Sequence, residues 1–235
     1  MTTEPKQPPA HEPDDASGGA RDDPGHDSRF GGGWGREEDA LEHALDVLWG
    51  SREGMLAFDE HTVPAKFVSD PESGRLVMSA PVAALLAAQV VLFVPEETED
   101  ALQLLVSLEE VKESAVTDRW QVYHGEPEHV RWASVWIDSG KHGPWVFDGE
   151  ALMLPNPLAR AEPALCRRVN SDRAALARVC QRRAGVVVPD PLCVGIDPRG
   201  MHVRARFGVV RVRFERREDD AGAAEKALER MLREG

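Results

Sequence analysis

The stretch Cys193–Phe214, CVGIDPRGMHVRARFGVVRVRF, decides the fold of the C-terminal third of this chain. It opens with the apolar run Cys193–Ile196, and Asp197–Gly200 then has the residue preferences of a type I turn. Met201–Arg206 and Val209–Phe214 follow, and each alternates apolar and polar residues. Alternation with a period of two is typical of strands with one buried face, so the stretch predicts a strand followed by a β-hairpin.

The alternation divides the hairpin into an apolar face and a basic face. The apolar side chains, which we expect to be buried, are Met201, Val203, Ala205, Val210, Val212 and Phe214. The side chains expected on the open face are His202, Arg204, Arg206, Arg211 and Arg213. Such a row of charges often only faces solvent, but these four arginines are candidates for docking or anion binding. No aromatic residues are interleaved with the arginines, which argues against a platform for single-stranded RNA.

Helices are predicted on both sides of this sheet in the sequence. Before it, one helical stripe is made of the apolar residues Leu165, Val169, Leu176 and Cys180. On a single helix, Cys166 and Cys180 lie roughly 21 Å apart, which is too far for a disulfide. Cys193 is expected in the core. After the sheet, a last helix is predicted from about Ala221.

Charge is distributed unevenly along the 235 residues, whose formal net charge is −13. Residues 37–165 contain 24 acidic and eight basic residues, whereas residues 166–235 contain ten acidic and 16 basic residues. We therefore expect the basic C-terminal part to dock onto the acidic part, within one chain or across a dimer. Nucleic acid is the rival partner of a basic surface and is the less favoured one here.

The first 157 residues divide into a tail, a helix and a β-rich region. Residues 1–36 are rich in Gly, Pro, Asp and His and are predicted to be a disordered tail. The apolar stripe of residues 37–49 predicts an amphipathic helix. The predicted strands are Ala65–Val68 and Arg75–Met78, joined as a hairpin, then Val90–Val94, Arg119–His124, Val130–Ile137 and Trp145–Phe147; Leu102–Val106 fits strand or helix. About seven short strands indicate a barrel or sandwich, which makes 37–157 and 163–235 the two predicted domains.

The order of short motifs after residue 163 carries a resemblance to a known family. The motifs are Asn170-Ser171-Asp172, Val194-Gly195-Ile196-Asp197, Gly200 and Arg211-Val212-Arg213-Phe214. In this order they resemble the C-terminal domain of flavin- or haem-binding split barrels of the haem-utilisation type. Where the motif of that family has two histidines, this chain has Arg168 and Arg173.

The resemblance implies an α+β protein and a homodimer. Its larger part is expected to be a mainly antiparallel split β-barrel of the pyridoxamine-phosphate-oxidase-like, FMN-binding type. A small α/β domain of helix, β-hairpin sheet and helix is expected to follow. FMN is the first cofactor that the resemblance implies. Haem is the second, because the family often takes its iron ligand from a histidine near the C-terminus and none follows His202 here.

Two short stretches of the β-rich region hold the residue types that such a cofactor requires. Tyr123-His124 and Arg131-Trp132 supply rings that can stack on a flavin, an imidazole that can ligate haem iron, and a cation. We predict that these residues form the pocket wall, with Lys66 and Lys141 as phosphate partners. The same side chains also fit a structural interpretation, in which aromatic residues pair across strands on the barrel surface.

The sequence leaves two classes of function open. The first is a split-barrel protein that binds FMN or haem, either as a flavin-dependent oxidoreductase or as a haem-utilisation protein. The second is a non-catalytic interaction or regulatory protein that keeps the fold without a cofactor. The sequence does not decide whether the protein is an enzyme.

Composition and segment lengths predict a cytoplasmic protein with no membrane partner. The longest apolar run, Pro81–Val94, is shorter than the roughly 20 residues that cross a bilayer. The N-terminal residues contain no apolar core of a signal peptide. Three cysteines without a C-x-x-C motif fit neither a disulfide framework nor a zinc site, so no dedicated metal site is expected.

Overall fold

Seven antiparallel strands form one sheet in the computed structural model, which describes residues 36–234. They are β1 (Glu53–Phe58), β2 (His61–Ser69), β3 (Leu76–Ala80), β4 (Val90–Val94), β5 (Leu102–Val111), β6 (Arg131–His142) and β7 (Trp145–Asp148). The strand order is β3-β2-β1-β4-β5-β6-β7, and a further pairing of β3 with β6 closes six strands into a barrel. The predicted tail, residues 1–36, lies outside the described residues except for Arg36.

The barrel interior is filled by alternate side chains of its strands. Leu56, Leu92, Leu104 and Val135 are almost completely buried there. Helix α1 (Glu37–Gly50) adds its apolar stripe to the same core, which confirms the helix predicted over 37–49. The predicted hairpin is also confirmed, because β2 pairs with β3 in antiparallel register.

The segment predicted as a strand at Arg119–His124 is instead part of helix α3 (Ala115–His124), so that prediction is wrong. Ser114 and Thr117 begin the helix: the Ser114 N–H donates to Thr117 Oγ1 at 2.8 Å, and that hydroxyl donates back to the Ser114 carbonyl. Thr117, Trp120 and Tyr123 follow at intervals of three and are the buried residues of the helix. Packing of this face overrides the strand preference of the aromatic residues.

The remaining helices and a three-stranded antiparallel sheet complete an α+β fold, as predicted. The helices are α2 (Val82–Leu86), α4 (Gly149–Leu152), α5 (Glu162–Asn170), α6 (Arg173–Ala184) and α7 (Ala221–Glu234). The C-terminal sheet contains β8 (Leu192–Asp197), β9 (Gly200–Ala205) and β10 (Gly208–Arg213) in the order β10-β9-β8. Within residues 36–234, no helix is long and apolar enough to cross a membrane.

The C-terminal hairpin has the predicted pairing. Val203 lies opposite Val210, and Met201 lies opposite Val212. These four side chains join apolar residues of α5, α6 and α7 in a core separate from that of the barrel. The barrel and this sheet belong to one compact unit, so the domain limits 37–157 and 163–235 stay a prediction.

The single helix predicted across 165–180 is two helices, α5 and α6, and the break is explained by Asp172. The Asp172 carboxylate accepts a hydrogen bond from the Ala175 N–H at 2.8 Å and caps the start of α6. A carboxylate in this role satisfies a backbone donor that has no partner within the helix. The apolar stripe alone does not reveal such a break, because both helices bury the same side.

The side chain of Asn170 fixes the end of α5 against β8. Its amide nitrogen donates to the Cys193 carbonyl at 2.9 Å, and its amide oxygen accepts from the Cys193 N–H at 2.8 Å. One side chain thus satisfies both backbone groups of a buried strand residue.

We expect Asn170→Ala to lower the free energy of unfolding by about 1–3 kcal/mol, because it leaves buried backbone groups of Cys193 without a partner. Ser171→Ala is the matched control, since Ser171 is exposed and its change should cost less than about 0.5 kcal/mol. Urea unfolding of both variants measures the difference. Equal losses in the two variants would contradict this role for Asn170.

Candidate functional site

Helix α3 lies between the outer face of the barrel and the C-terminal sheet, and its aromatic residues form the centre of that junction. Trp120 and Tyr123 pack with Trp132 of β6 and Val194 of β8 in a third apolar cluster. Tyr123 is 2% exposed and Trp132 is 6% exposed. Two of the predicted pocket-wall residues therefore lie inside a packed junction.

Two hydrogen-bonded groups of polar side chains border this cluster, and the Tyr123 ring links them, with its centroid 5.8 Å from that of His202; together they are termed the junction network. Its members are Arg52, Arg119, Tyr123, Glu162, Asp197, His202 and Arg211. They come from the start of the barrel region, from α3 and α5, and from all three strands of the C-terminal sheet. The network therefore connects the two halves of the fold.

His202 is the most deeply buried member of the network. Its Nε2 lies 3.0 Å from the Trp49 carbonyl oxygen, so Nε2 carries the hydrogen and donates. Nδ1 is then the acceptor, 3.4 Å from Arg52 Nη2, whereas Arg211 Nη1 lies near both ring nitrogens, 3.3 Å from Nδ1 and 3.1 Å from Nε2. The prediction of an open face is wrong for His202, because alternation assigns a side chain to a face but not what packs on that face.

Burial and the nearby guanidinium groups of Arg52 and Arg211 hold the pKa of His202 well below its ordinary value. Protonation would place a hydrogen on Nδ1 beside the Arg52 guanidinium, where water does not screen the charges, and the Asp197 carboxylate, 3.7 Å from Nδ1, is already paired with Arg211. The imidazole of His202 is therefore neutral at neutral pH. The lone pair at Nδ1 faces Arg52, and the charge of Arg211 is balanced by Asp197.

Arg52 follows the C-terminus of α1 and holds that helix end. Its guanidinium donates to the Ser51 carbonyl at 2.6 Å. Helix α1 has no basic residue in its last turn, so Arg52 and His202 supply the donors that the negative end of the helix needs. Among residues 36–234 no carboxylate forms an ion pair with Arg52, and its charge faces the Tyr123 ring, whose centroid is 5.8 Å away.

The network contains two double hydrogen-bonded ion pairs, of which the Arg211–Asp197 pair lies beside the imidazole. Arg119 donates to both oxygens of Glu162, at 2.9 and 2.7 Å, and Glu162 also accepts from the Ile196 N–H. Arg211 likewise bonds both oxygens of Asp197, with Nη2 at 2.7 Å from Oδ1. These carboxylates are therefore occupied by donors of the protein itself.

Gly195 of the family-like motif is required by the Tyr123 side chain. A Cβ atom at position 195 would lie 1.6 Å from the Tyr123 hydroxyl oxygen. That hydroxyl accepts a hydrogen bond from Arg119 at 3.0 Å, and burial raises the pKa of the phenol to about 12, so it stays protonated. The motif glycine thus allows β8 to approach α3.

The other predicted cofactor residues are dispersed. Lys66 pairs with Glu128 at 3.0 Å, and Arg131 pairs with Glu110 at 2.8 Å, both near the surface. Lys141 lies ten residues from Arg131 along β6, which corresponds to roughly 33 Å of strand. The structure brings Tyr123, Trp132 and His124 near one another but does not bring the two lysines to one phosphate.

His124 packs against the outer face of the barrel. Its ring centroid lies 4.8 Å from that of Trp120, and its Nε2 is 3.1 Å from the Phe67 carbonyl oxygen. Burial lowers the pKa of His124 to about 4. Its imidazole is neutral at neutral pH and contributes a hydrogen bond to β2.

The four arginines of the predicted docking face have different surroundings. Arg213 forms an ion pair with Asp46 of α1, and Arg204 donates to the Val122 carbonyl of α3 at 2.6 Å. Arg211 belongs to the junction network, whereas Arg206 is exposed. The basic face thus contacts the N-terminal part within the chain, including its acidic helix, and is not an open surface along its whole length.

A cleft on the far side of the C-terminal sheet was not predicted from the sequence. It has a volume of about 320 Å³, within the range of sites for organic ligands. Its lining residues are Arg183, Arg216, Arg230, Glu215, Glu218 and Glu234, with Phe214, Ala227 and Met231 as the apolar floor. In contrast, the junction cavity beside Arg52 and His202 measures about 20 Å³ and has room for about one water molecule.

The spacing of residues 227, 230, 231 and 234 on α7 is the only signal in the sequence for this cleft, and it resembles an ordinary amphipathic stripe. Arg183 bonds Glu215 and Glu234 across the cleft, at 2.9 and 2.8 Å. For metal binding, residues 36–234 bring no three His, Cys, Asp or Glu side chains together as ligands.

Comparison with known proteins supports the fold alone. No family model matches this chain, and no curated protein matches it. A solved protein of unknown function from Agrobacterium tumefaciens is 17% identical, with a TM-score of 0.65 over 84% of this chain and 97% of that chain. A heme-binding protein from Mycobacterium smegmatis is 16% identical, with a TM-score of only 0.38 over 83% and 98% of the two chains. At these identities the likeness carries no activity to this chain.

We expect the free energy of unfolding to fall as the pH decreases from about 6.5 to about 5, because unfolded histidine takes up a proton near pH 6.5 and folded His202 does not. Above that range both states are neutral and the effect disappears. His202→Gln keeps an amide donor for the Trp49 carbonyl and removes the titrating ring. Its stability should depend less steeply on pH, by up to about 1.4 kcal/mol per pH unit.

Urea unfolding at several pH values measures this dependence. His61→Gln is the control, since His61 is an exposed residue and its loss should leave the slope unchanged. An unchanged slope in His202→Gln would show that this imidazole is not held neutral by the fold.

Proposed function

We propose that this protein acts by binding a partner, with the barrel as a scaffold and not as a site of redox chemistry. The observation that carries the proposal is the use of Tyr123, His124 and Trp132 in the packed junction. These groups were the candidates for stacking on a flavin or ligating haem iron. Each is engaged by the protein's own groups, through burial or through a hydrogen bond to a backbone carbonyl.

The charges of the barrel region support the same proposal. A flavin phosphate needs several donors that converge on one point. Lys66 and Arg131 each pair with a glutamate, and Lys141 lies near the other end of β6. No cradle for a phosphate is formed by these three bases.

The cleft between α6, α7 and the segment that follows β10 is the surface that we assign to the partner. Its rim carries three arginines and three glutamates, so its formal charge is balanced, and its floor is apolar. A protein segment with an apolar anchor and flanking charges of both signs matches this lining. Arg230 forms no ion pair with any residue of 36–234 and is the cation available to a carboxylate of the partner.

A second candidate function is cofactor binding in the same cleft, with FMN favoured over haem. The specific observation is the volume of about 320 Å³, together with the exposed guanidinium of Arg230. Haem is less favoured because Met231 is the only residue of the lining that offers an iron ligand. The homodimer implied by the family resemblance stays a prediction.

Titration of the full chain with FMN and, separately, with hemin tests the proposal. We expect no saturable binding of either compound, and no flavin or Soret band in the purified protein. Saturable binding at one equivalent would contradict it. Arg233 lies on the same helix as Arg230 but outside the cleft, so Arg233→Gln is the control. If Arg230→Gln abolished cofactor binding and Arg233→Gln did not, cofactor binding in the cleft would replace partner binding as the proposed function.

Selection of peptides from a displayed random library supplies the positive arm of the test. We expect selected peptides to contain an apolar anchor beside an acidic residue, and to bind Arg230→Glu about tenfold more weakly. Arg233→Glu should bind them like the parent protein. A selection that gives no peptide, or only peptides insensitive to Arg230→Glu, would contradict the assignment of the cleft.

A further inference from the structure

Two cysteines face each other across the contact between α5 and β8. The Sγ atoms of Cys166 and Cys193 are 3.8 Å apart. Cys166 is half-buried on α5, and Cys193 is buried on β8. From the sequence, Cys166 and Cys180 are too far apart for a disulfide and Cys193 is expected in the core, so the pair of Cys166 with Cys193 is not apparent. The break between α5 and α6 and the packing of α5 on β8 create the pair.

The two thiols lie between fixed points of the α5–β8 contact. Glu162 and Asn170 are four residues before and after Cys166, so all three share one face of the helix. Glu162 accepts from the Ile196 N–H at 2.9 Å, and Asn170 bonds both backbone groups of Cys193. The thiols are therefore held in register by hydrogen bonds on both sides of them.

We propose that Cys166 and Cys193 are an oxidative modification site, at which a hydroperoxide converts the two thiols into an intramolecular disulfide. This site is independent of the cleft and of the proposed partner. A disulfide requires sulfurs about 2.05 Å apart, so the side chains need to approach by less than about 2 Å. Cys180 has no such neighbour among the described residues: it is fully buried in the apolar C-terminal core, and burial raises its pKa to about 11.

The chemistry proceeds in two balanced steps. The Cys166 thiolate attacks one oxygen of hydrogen peroxide: the S–O bond forms, the O–O bond breaks, and the hydroxide that leaves becomes water with the thiol proton. The Cys193 sulfur then attacks the Cys166 sulfur: the S–S bond forms, the S–O bond breaks, and the second water leaves with the Cys193 proton. Two thiols lose two electrons, and the peroxide is reduced to two waters.

The exposure of the two residues sets this order of events. Cys166 is the more accessible thiol, whereas the hydrogen bond to Cys166 and burial raise the pKa of Cys193 well above its ordinary value. Cys193 therefore reacts only with a partner already placed beside it. Helix α5 also carries Glu162, which forms the ion pair with Arg119 of the junction network. The disulfide would therefore attach this helix covalently to β8.

Exposure of the full chain to hydrogen peroxide, followed by thiol counting in denaturant, tests the proposal. The three thiols of the reduced chain should fall to one, and peptide mapping should recover Cys166 linked to Cys193. Cys180→Ser should still lose two thiols. Cys166→Ser should form no intramolecular link and should keep both remaining thiols under conditions that oxidise the parent protein.

Three outcomes would overturn the inference. They are retention of all three thiols, oxidation of Cys166 to sulfinic acid without a link to Cys193, and disulfides formed only between chains. The peptide map of the unsubstituted protein decides among these even if Cys166→Ser fails to fold.

Discussion

The contact on which the rest of the structure depends is the neutral imidazole of His202, buried between Arg52 and Arg211 and bonded to the Trp49 carbonyl. It joins the end of α1 to the C-terminal hairpin, and it lies beside the guanidinium groups of Arg52 and of Arg211, the second of which is paired with Asp197. A charged ring there would repel both arginines. The hydrogen bond from His202 to the Trp49 carbonyl and the position of Arg52 beside Nδ1 both fit a ring that carries no charge.

The sequence predicted the hairpin well because its information is local. Alternation from Met201 to Phe214 identifies the two faces and the pairing, and the structure has both. It could not show that α1 and α3 cover part of the basic face, since that depends on residues about 80 to 150 positions away. The same limit explains Arg119–His124: its residues fit a strand by type, but their contacts repeat every three residues on a helix.

In the candidate site, too, some residues that the sequence singled out have a clear role in the structure, and others do not have the predicted one. Asn170, Gly195 and Asp197 belong to the motifs that resemble a known family, and in this structure each has a structural role. Asn170 clamps β8, Gly195 admits the Tyr123 side chain, and Asp197 holds Arg211. The residues selected for cofactor chemistry were chosen by type, and type does not reveal that the two bases on β6 lie toward its opposite ends. The cleft escaped prediction because its lining comes from α6, from α7 and from the segment between β10 and α7.

Nitrogen-15 NMR of the histidine rings in the full chain tests the central claim most directly, with the His202 signals assigned by their loss in His202→Gln. We expect a ring that is neutral at neutral pH, with hydrogen on Nε2 and a lone pair on Nδ1, and whose pKa lies well below the ordinary value of histidine. A His202 ring that titrates near pH 6.5, or that carries its hydrogen on Nδ1, would contradict the account. In that case the junction would be open to water, and its side chains would again be candidates for binding a ligand.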